Sequence, residues 1–163
     1  MFIPEDGTGL PDANSYGTVE DADSYFTLRA LNGWSALALE AKQAALVQAT
    51  DYIEMRFAEL FRGERLTETQ ALAFPRVIPG YSEMPNRLAY ATYEYAIRAS
   101  VSPLAPDPVA GAAVTSTMEK VGPLEEKVVF RPSANTTIRS YPAADIWLNP
   151  LLTNIHSNRL IRD

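Results

Sequence analysis

Ala36 to Phe61 reads ALALEAKQAALVQATDYIEMRFAELF, and its spacing decides the fold. Leu39, Leu46, Ala49, Ile53, Phe57 and Leu60 recur at intervals of three, four and seven, which places them in one stripe of a long amphipathic helix. A helix with a single apolar stripe must bury it against other elements, so the rest of the chain should supply them.

Upstream, Thr18 is placed to cap a helix whose first turn holds Glu20, Asp21 and Asp23, where the helix dipole favours anions. Val19, Ala22, Tyr25 and Phe26 give it an apolar face, and Asn32-Gly33 closes it. Trp34 and a capping Ser35 then lead into the long helix. Downstream, Gly63 ends the long helix. A connection follows in which Thr67 can cap a short helical turn over 67–73, Phe74 precedes Pro75, and 75–84 is a loop. Pro85 opens a third amphipathic helix through Leu88, Ala91, Tyr95, Ala96 and Ala99, stopped at Ser102-Pro103.

The expected fold is mainly α: a small bundle of three main helices over 18–102, with an irregular N-terminal arm (1–17) and a linker (103–113). A β-hairpin is expected at 114–130, turning at Gly122-Pro123, and a C-terminal arm at 131–163 carries a short apolar helix that packs on the bundle or docks on a partner. Trp34 and Phe74 are expected in the core.

Composition removes several functions. Of 163 residues, 14 are Lys or Arg and 20 are Asp or Glu, a net charge of −6, which disfavours a surface built mainly to grip phosphates. Residues 1–59 hold ten acids and three bases (−7) and residues 60–163 ten acids and eleven bases (+1), so the acidic surface should lie in the first part. With no cysteine and one histidine, His156, thiolate metal sites, Cys nucleophiles and two-His motifs are excluded. His156 is expected at the surface or an interface. No stretch is long and apolar enough to span a membrane, and the acidic Met1–Asp6 is unlike a secretion signal.

No catalytic constellation emerges, and no cofactor or metal is expected. Asp51 and Glu54, three apart on the long helix, fall off its apolar stripe and read as solvated charges. Asp6-Gly7-Thr8-Gly9 reads as a turn, since neither a calcium nor a phosphate loop is completed around it. Aromatic residues near bases, Tyr52, Arg56 and Phe57 or Tyr93, Tyr95 and Arg98, are nominated as a stacking platform for nucleic acid. Most of them lie on expected core stripes.

The order Tyr16-Gly17-Thr18-Val19-Glu20-Asp21-Ala22-Asp23-Ser24-Tyr25-Phe26, then Trp34, then Ala49-Thr50-Asp51-Tyr52-Ile53 resembles a family of short bacteriophage and prophage proteins. The likeness continues through Gln70-Ala71-Leu72-Ala73-Phe74-Pro75-Arg76, Lys120-Val121-Gly122-Pro123-Leu124-Glu125 and Tyr141-Pro142-Ala143, covering about 16–152. That family is labelled DnaT-like and single-stranded-DNA-binding, yet its helical plan is similar to the head–tail adaptors, or connectors, of long-tailed phages.

The resemblance to adaptors implies a structural virion protein at the head–tail junction, made in the bacterial cytoplasm. It would form a ring, typically of twelve copies, in the neck between the portal and a tail or stopper protein, through which DNA slides during ejection without being held. The acid excess suits such a ring, and on this reading Glu20, Asp21, Asp23, Asp51 and Glu54 are candidates to face the channel. Ile146, Trp147, Leu151 and Leu152 are candidates for portal docking, and 75–84 and 114–130 for contacts with neighbouring copies or the tail side. The alternative is a phage replication accessory that binds single-stranded DNA, with Arg56, Arg62 and Arg65 as its expected basic residues.

Overall fold

A computed structural model describes residues 1–105, 113–114, 130–131 and 140–153. They fall into two compact units, one comprising Met1–Leu104 and the chain from Ser140, the other lying within Ala105–Arg139. In the first, α1 (Val19–Thr27), α2 (Asn32–Ser35), α3 (Leu39–Phe57), α4 (Asn86–Ala99) and α5 (Pro142–Leu148) form a helical bundle, with a short antiparallel pair of β1 (Glu64–Arg65) and β2 (Arg76–Val77). In the second, β3 (Ala113–Val114) pairs antiparallel with β4 (Phe130–Arg131), Ala113 opposite Arg131. These two strands fall at the two ends of the expected hairpin; its Gly122-Pro123 turn lies outside the described residues.

Helix α3 is the centre of the bundle, packing chiefly on α4, which in turn carries α5. The stripe of Leu46, Ala49, Ile53 and Phe57 is buried as its spacing requires, joined by Ala45, Thr50 and Tyr52. Leu39, at the helix start, is exposed instead, and α3 begins with no side-chain cap. Thr18 caps α1 as expected, its hydroxyl accepting from Asp21 N at 3.1 Å. The chain leaves α1 earlier than Asn32-Gly33, through Ala30 at φ 54°, so that Asn32 and Gly33 open the short α2. Trp34 and Phe74 are core residues, Trp34 packed on Phe26 with ring centroids 4.9 Å apart.

The irregular N-terminal arm lies against the bundle: Pro4 bridges Ser15 in parallel, and Ala13, Ser15 and Tyr16 are buried. Its turn is built around Glu5, whose carboxylate accepts from the N–H groups of Gly7, Gly9 and Leu10 at 2.9–3.0 Å. The turn at 67–73 is not helical. Thr67 and Gln70 exchange the two hydrogen bonds of a capping box, but the Gln70 amide then donates to Leu72 O and Pro75 O, tying the segment into a loop. Residues 75–84 begin with strand β2. Finally, the C-terminal segment through Thr153 is part of the bundle: Ala144, Leu148 and Leu151 are fully buried, Arg62 N donates to Leu151 O at 2.9 Å, and Thr153 N donates to Leu60 O at 2.7 Å.

Gly17 shows why the second residue of the Tyr16-Gly17-Thr18 run has no side chain. A Cβ there would drive into the ring of Tyr93 on α4, so the approach of the N-terminal segment to the bundle depends on glycine.

Candidate nucleic-acid interface

The basic residues expected to hold DNA are committed within the protein. Arg56 donates to both carboxylate oxygens of Asp145 at 3.1 and 3.4 Å; Arg62 Nη2 donates to Pro150 O; Arg65 Nη2 donates to the carbonyls of Gln70 and Leu72. The nominated rings of Tyr52, Phe57, Tyr93 and Tyr95 are buried, as their stripes imply. Burial pushes the hydroxyls of Tyr93 and Tyr95 far above their ordinary pKa, with the nearby Asp145 carboxylate adding to the effect at Tyr95.

The acids expected to face a channel divide into three kinds. Glu20, Asp21 and Asp51 are exposed. Asp23 is half-buried and holds Trp34 Nε1 at 2.6 Å and Lys42 Nζ at 2.8 Å, so it is structural. Glu54 is the clearest departure from a solvated charge: it accepts from Tyr16 Oη and from Ala73 N, the latter at 3.1 Å, and Tyr16 Oη in turn accepts from Phe74 N at 3.2 Å. Burial raises the Glu54 carboxyl above its ordinary pKa, partly offset by these hydrogen bonds and by Arg65 and Arg76. Together Glu54, Glu59, Arg65 and Arg76 line an open cleft of about 370 Å³, where acids and bases oppose each other. The Asp51 carboxyl is also raised, by partial desolvation at a position that stays exposed overall.

Of the four portal-docking candidates, Leu151 is 0% exposed and lies in the core, and Leu152 is half-buried in a bridge to Phe61. Neither offers a free apolar surface in this fold. Ile146 is 62% exposed, and Trp147 is half-buried against Tyr90.

Trp147 belongs to a continuous row of rings and guanidinium groups across α1, α4 and α5. Arg29 lies over the Tyr25 ring at 3.5 Å and 5.7 Å from the Tyr90 ring; Tyr25 and Tyr90 are 5.2 Å apart; Tyr90 meets Trp147 edge-on at 5.3 Å; and Arg87 sits 6.0 Å from the Trp147 ring. Local spacing builds this row: Arg87 and Tyr90 are three apart on α4, and Arg29, in the turn just past the end of α1 and four residues after Tyr25, is held over that ring while its Nη1 donates to Tyr25 O at 3.0 Å. Tyr25 is buried as the base of the row, its hydroxyl donating to Glu94 at 2.8 Å, and Glu94 is also paired with Arg98 at 2.9 Å. Burial and that carboxylate drive the Tyr25 hydroxyl far above its usual pKa. Tyr90 and Trp147 are half-buried, while Arg29 and Arg87 are exposed. Partly accessible rings between exposed guanidiniums can offer π-faces to bases and positive charge to phosphates.

Among the described residues, no group of three or more acidic or histidine side chains converges as a metal site, and no helix is long and apolar enough to cross a membrane. The fold and this row describe a mainly α-helical bundle protein that presents aromatic and basic side chains on one face. The chain belongs to the family described as "Putative DnaT-like ssDNA binding protein", whose model matches residues 1–163. Comparison with curated proteins and with solved structures finds no match in either.

Proposed function

We propose that the protein is a non-enzymatic single-stranded-DNA-binding accessory protein and that the row from Arg29 through Tyr25, Tyr90 and Trp147 to Arg87 is where a strand lies. The observation that carries this reading is the contiguity of the row, with Tyr90 and Trp147 partly open and an exposed arginine at each end. The family description supports the ligand class. The net charge of −6 limits the affinity: binding should be modest and sensitive to salt, since it rests on a local basic patch in an acidic protein.

Fluorescence anisotropy with a labelled oligothymidylate tests it. Wild-type protein should bind, with affinity falling as salt rises, and Arg29→Ala with Arg87→Ala should weaken binding and flatten the salt dependence by roughly 0.7 log unit per lost phosphate contact. Absence of binding at low salt, or binding indifferent to both arginines, overturns the reading.

A second reading is favoured by the charge itself. The −7 carried by residues 1–59, with Glu20, Asp21 and Asp51 exposed, suits a virion head–tail adaptor whose ring gives DNA an unadhesive wall. Electron microscopy of the protein mixed with its portal protein tests this: a stacked ring supports it, and no association counts against it.

A further inference from the structure

We infer that Asp145 is a positioning residue for the single-strand interface: by locking α5 onto α3 and α4 it sets Trp147 beside Tyr90. This rests on the reading of the aromatic–arginine row as a DNA-binding surface.

Helix α5 has seven residues, too few to be stable alone, so its place depends on side-chain anchors. Asp145 is the polar one. Its carboxylate accepts from Arg56 through both Nη atoms, from Tyr95 Oη, and from Ser140 Oγ at 2.8 Å, thereby joining α3, α4 and the residues before α5. The Asp145 and Arg56 side chains are each 17% exposed, a setting where charge-assisted bonds are strong and their geometry is restricted. Arg56 is itself held against the Phe57 ring at 4.6 Å.

Asp145 meets Tyr95, and Trp147, two residues on, meets Tyr90. Numbers rise along α5 as they fall along α4, so the two contacts fix both the direction and the rotation of α5. Tyr141, packed on the Tyr52 and Tyr95 rings, together with the buried Ala144, Leu148 and Leu151, keeps the segment on the bundle, so loss of the Asp145 anchor loosens the register of α5 without detaching it. Trp147 is therefore held most closely beside Tyr90 while Asp145 is engaged.

The sign of the effect separates positioning from electrostatics. Asp145→Asn removes a negative charge, which through space would tighten binding of a polyanion. Positioning predicts the reverse. Asp145→Asn should weaken oligothymidylate binding about fivefold or more. Without DNA it should raise acrylamide quenching of tryptophan fluorescence, which reports Trp147 because Trp34 is 1% exposed. It should also speed amide exchange over 140–148. Ser140→Ala, an exposed and charge-neutral change, should move all three readouts the same way by less, and serves if Asp145→Asn does not fold. Unchanged or tighter binding by a folded Asp145→Asn overturns the inference even where wild-type protein binds. If wild-type protein does not bind DNA, the interface reading fails, and unchanged quenching and exchange then overturn the anchoring role as well, whereas faster exchange upholds it.

Discussion

Leu151→Ala tests whether the C-terminal segment is part of the fold or equipment for a partner. Leu151 is 0% exposed, its carbonyl accepts from Arg62 N, and it follows α5 in a short 3-10 turn, Asn149–Leu151. Truncation removes three buried carbons. At about 0.8 kcal/mol each, the lost transfer energy alone is about 2.4 kcal/mol. The remaining cavity raises the total into the range of about 2–5 kcal/mol, according to how far the neighbours collapse. For a chain of this size that lowers Tm by roughly 5–15 °C. Ile146→Ala, at a position 62% exposed, should cost no more than about 0.5 kcal/mol. Urea unfolding followed by far-ultraviolet circular dichroism, with m-values compared, measures both. A Leu151→Ala cost below about 1 kcal/mol, or an equal loss in Ile146→Ala, refutes the packing of this segment on the bundle.

Three further outcomes follow from buried polar groups and close packing. Because burial raises the Glu54 carboxyl above its ordinary 4.5, the folded protein keeps a proton there that the unfolded chain has released. That contribution to stability is present below the ordinary value and lost as pH rises through the raised one, so Glu54→Gln should gain relative to wild type as pH rises above 4.5, read from urea midpoints. Glu5→Ala strips the acceptor from three backbone N–H groups of the N-terminal turn and should cost about 1.5–3 kcal/mol by chemical denaturation. Gly17→Ala forces a methyl into the Tyr93 ring and should cost about 1–3 kcal/mol in the same assay.

What the sequence made legible was local. The α3 stripe, the Thr18 cap and the α4 helix after Pro85 depend on residues within a turn or two of each other, and periodicity reports them faithfully. Glu54 lies off the α3 stripe, and only the arrival of Tyr16 from 38 residues away and of Ala73 from 19 away buries it. The N-terminal arm has the composition of an irregular segment, and Glu5, Asn14 and Ser15 satisfy its backbone through bonds that composition does not reveal. Strands β1 and β2 are two residues each, below the length at which alternation can be read. At Thr67 and Gln70 the capping signal is real, and Gln70 spends its amide on loop carbonyls instead.

The interface shows the same division. Arg56, Arg62 and Arg65 are natural nominees by charge, yet each guanidinium is bonded to acceptors of the protein itself, Arg56 and Arg62 half-buried and Arg65 at an exposed position. Tyr25 with Arg29 and Arg87 with Tyr90 carry a helical spacing that could have flagged them, but their conjunction with Trp147 depends on α5 docking against α4. The apolar C-terminal run, whose composition suits the bundle or a partner equally, supplies a core leucine and one ring of the row.

Ultraviolet crosslinking of the full chain to a single-stranded oligothymidylate, with the modified residues located by mass spectrometry, shows where a strand lies. Adducts are expected at Tyr90 and Trp147 and should be lost in Arg29→Ala with Arg87→Ala. Adducts confined to the β1–β2 pair or to residues 105–139, or no adduct at low salt, would rule out the aromatic–arginine row as the DNA site.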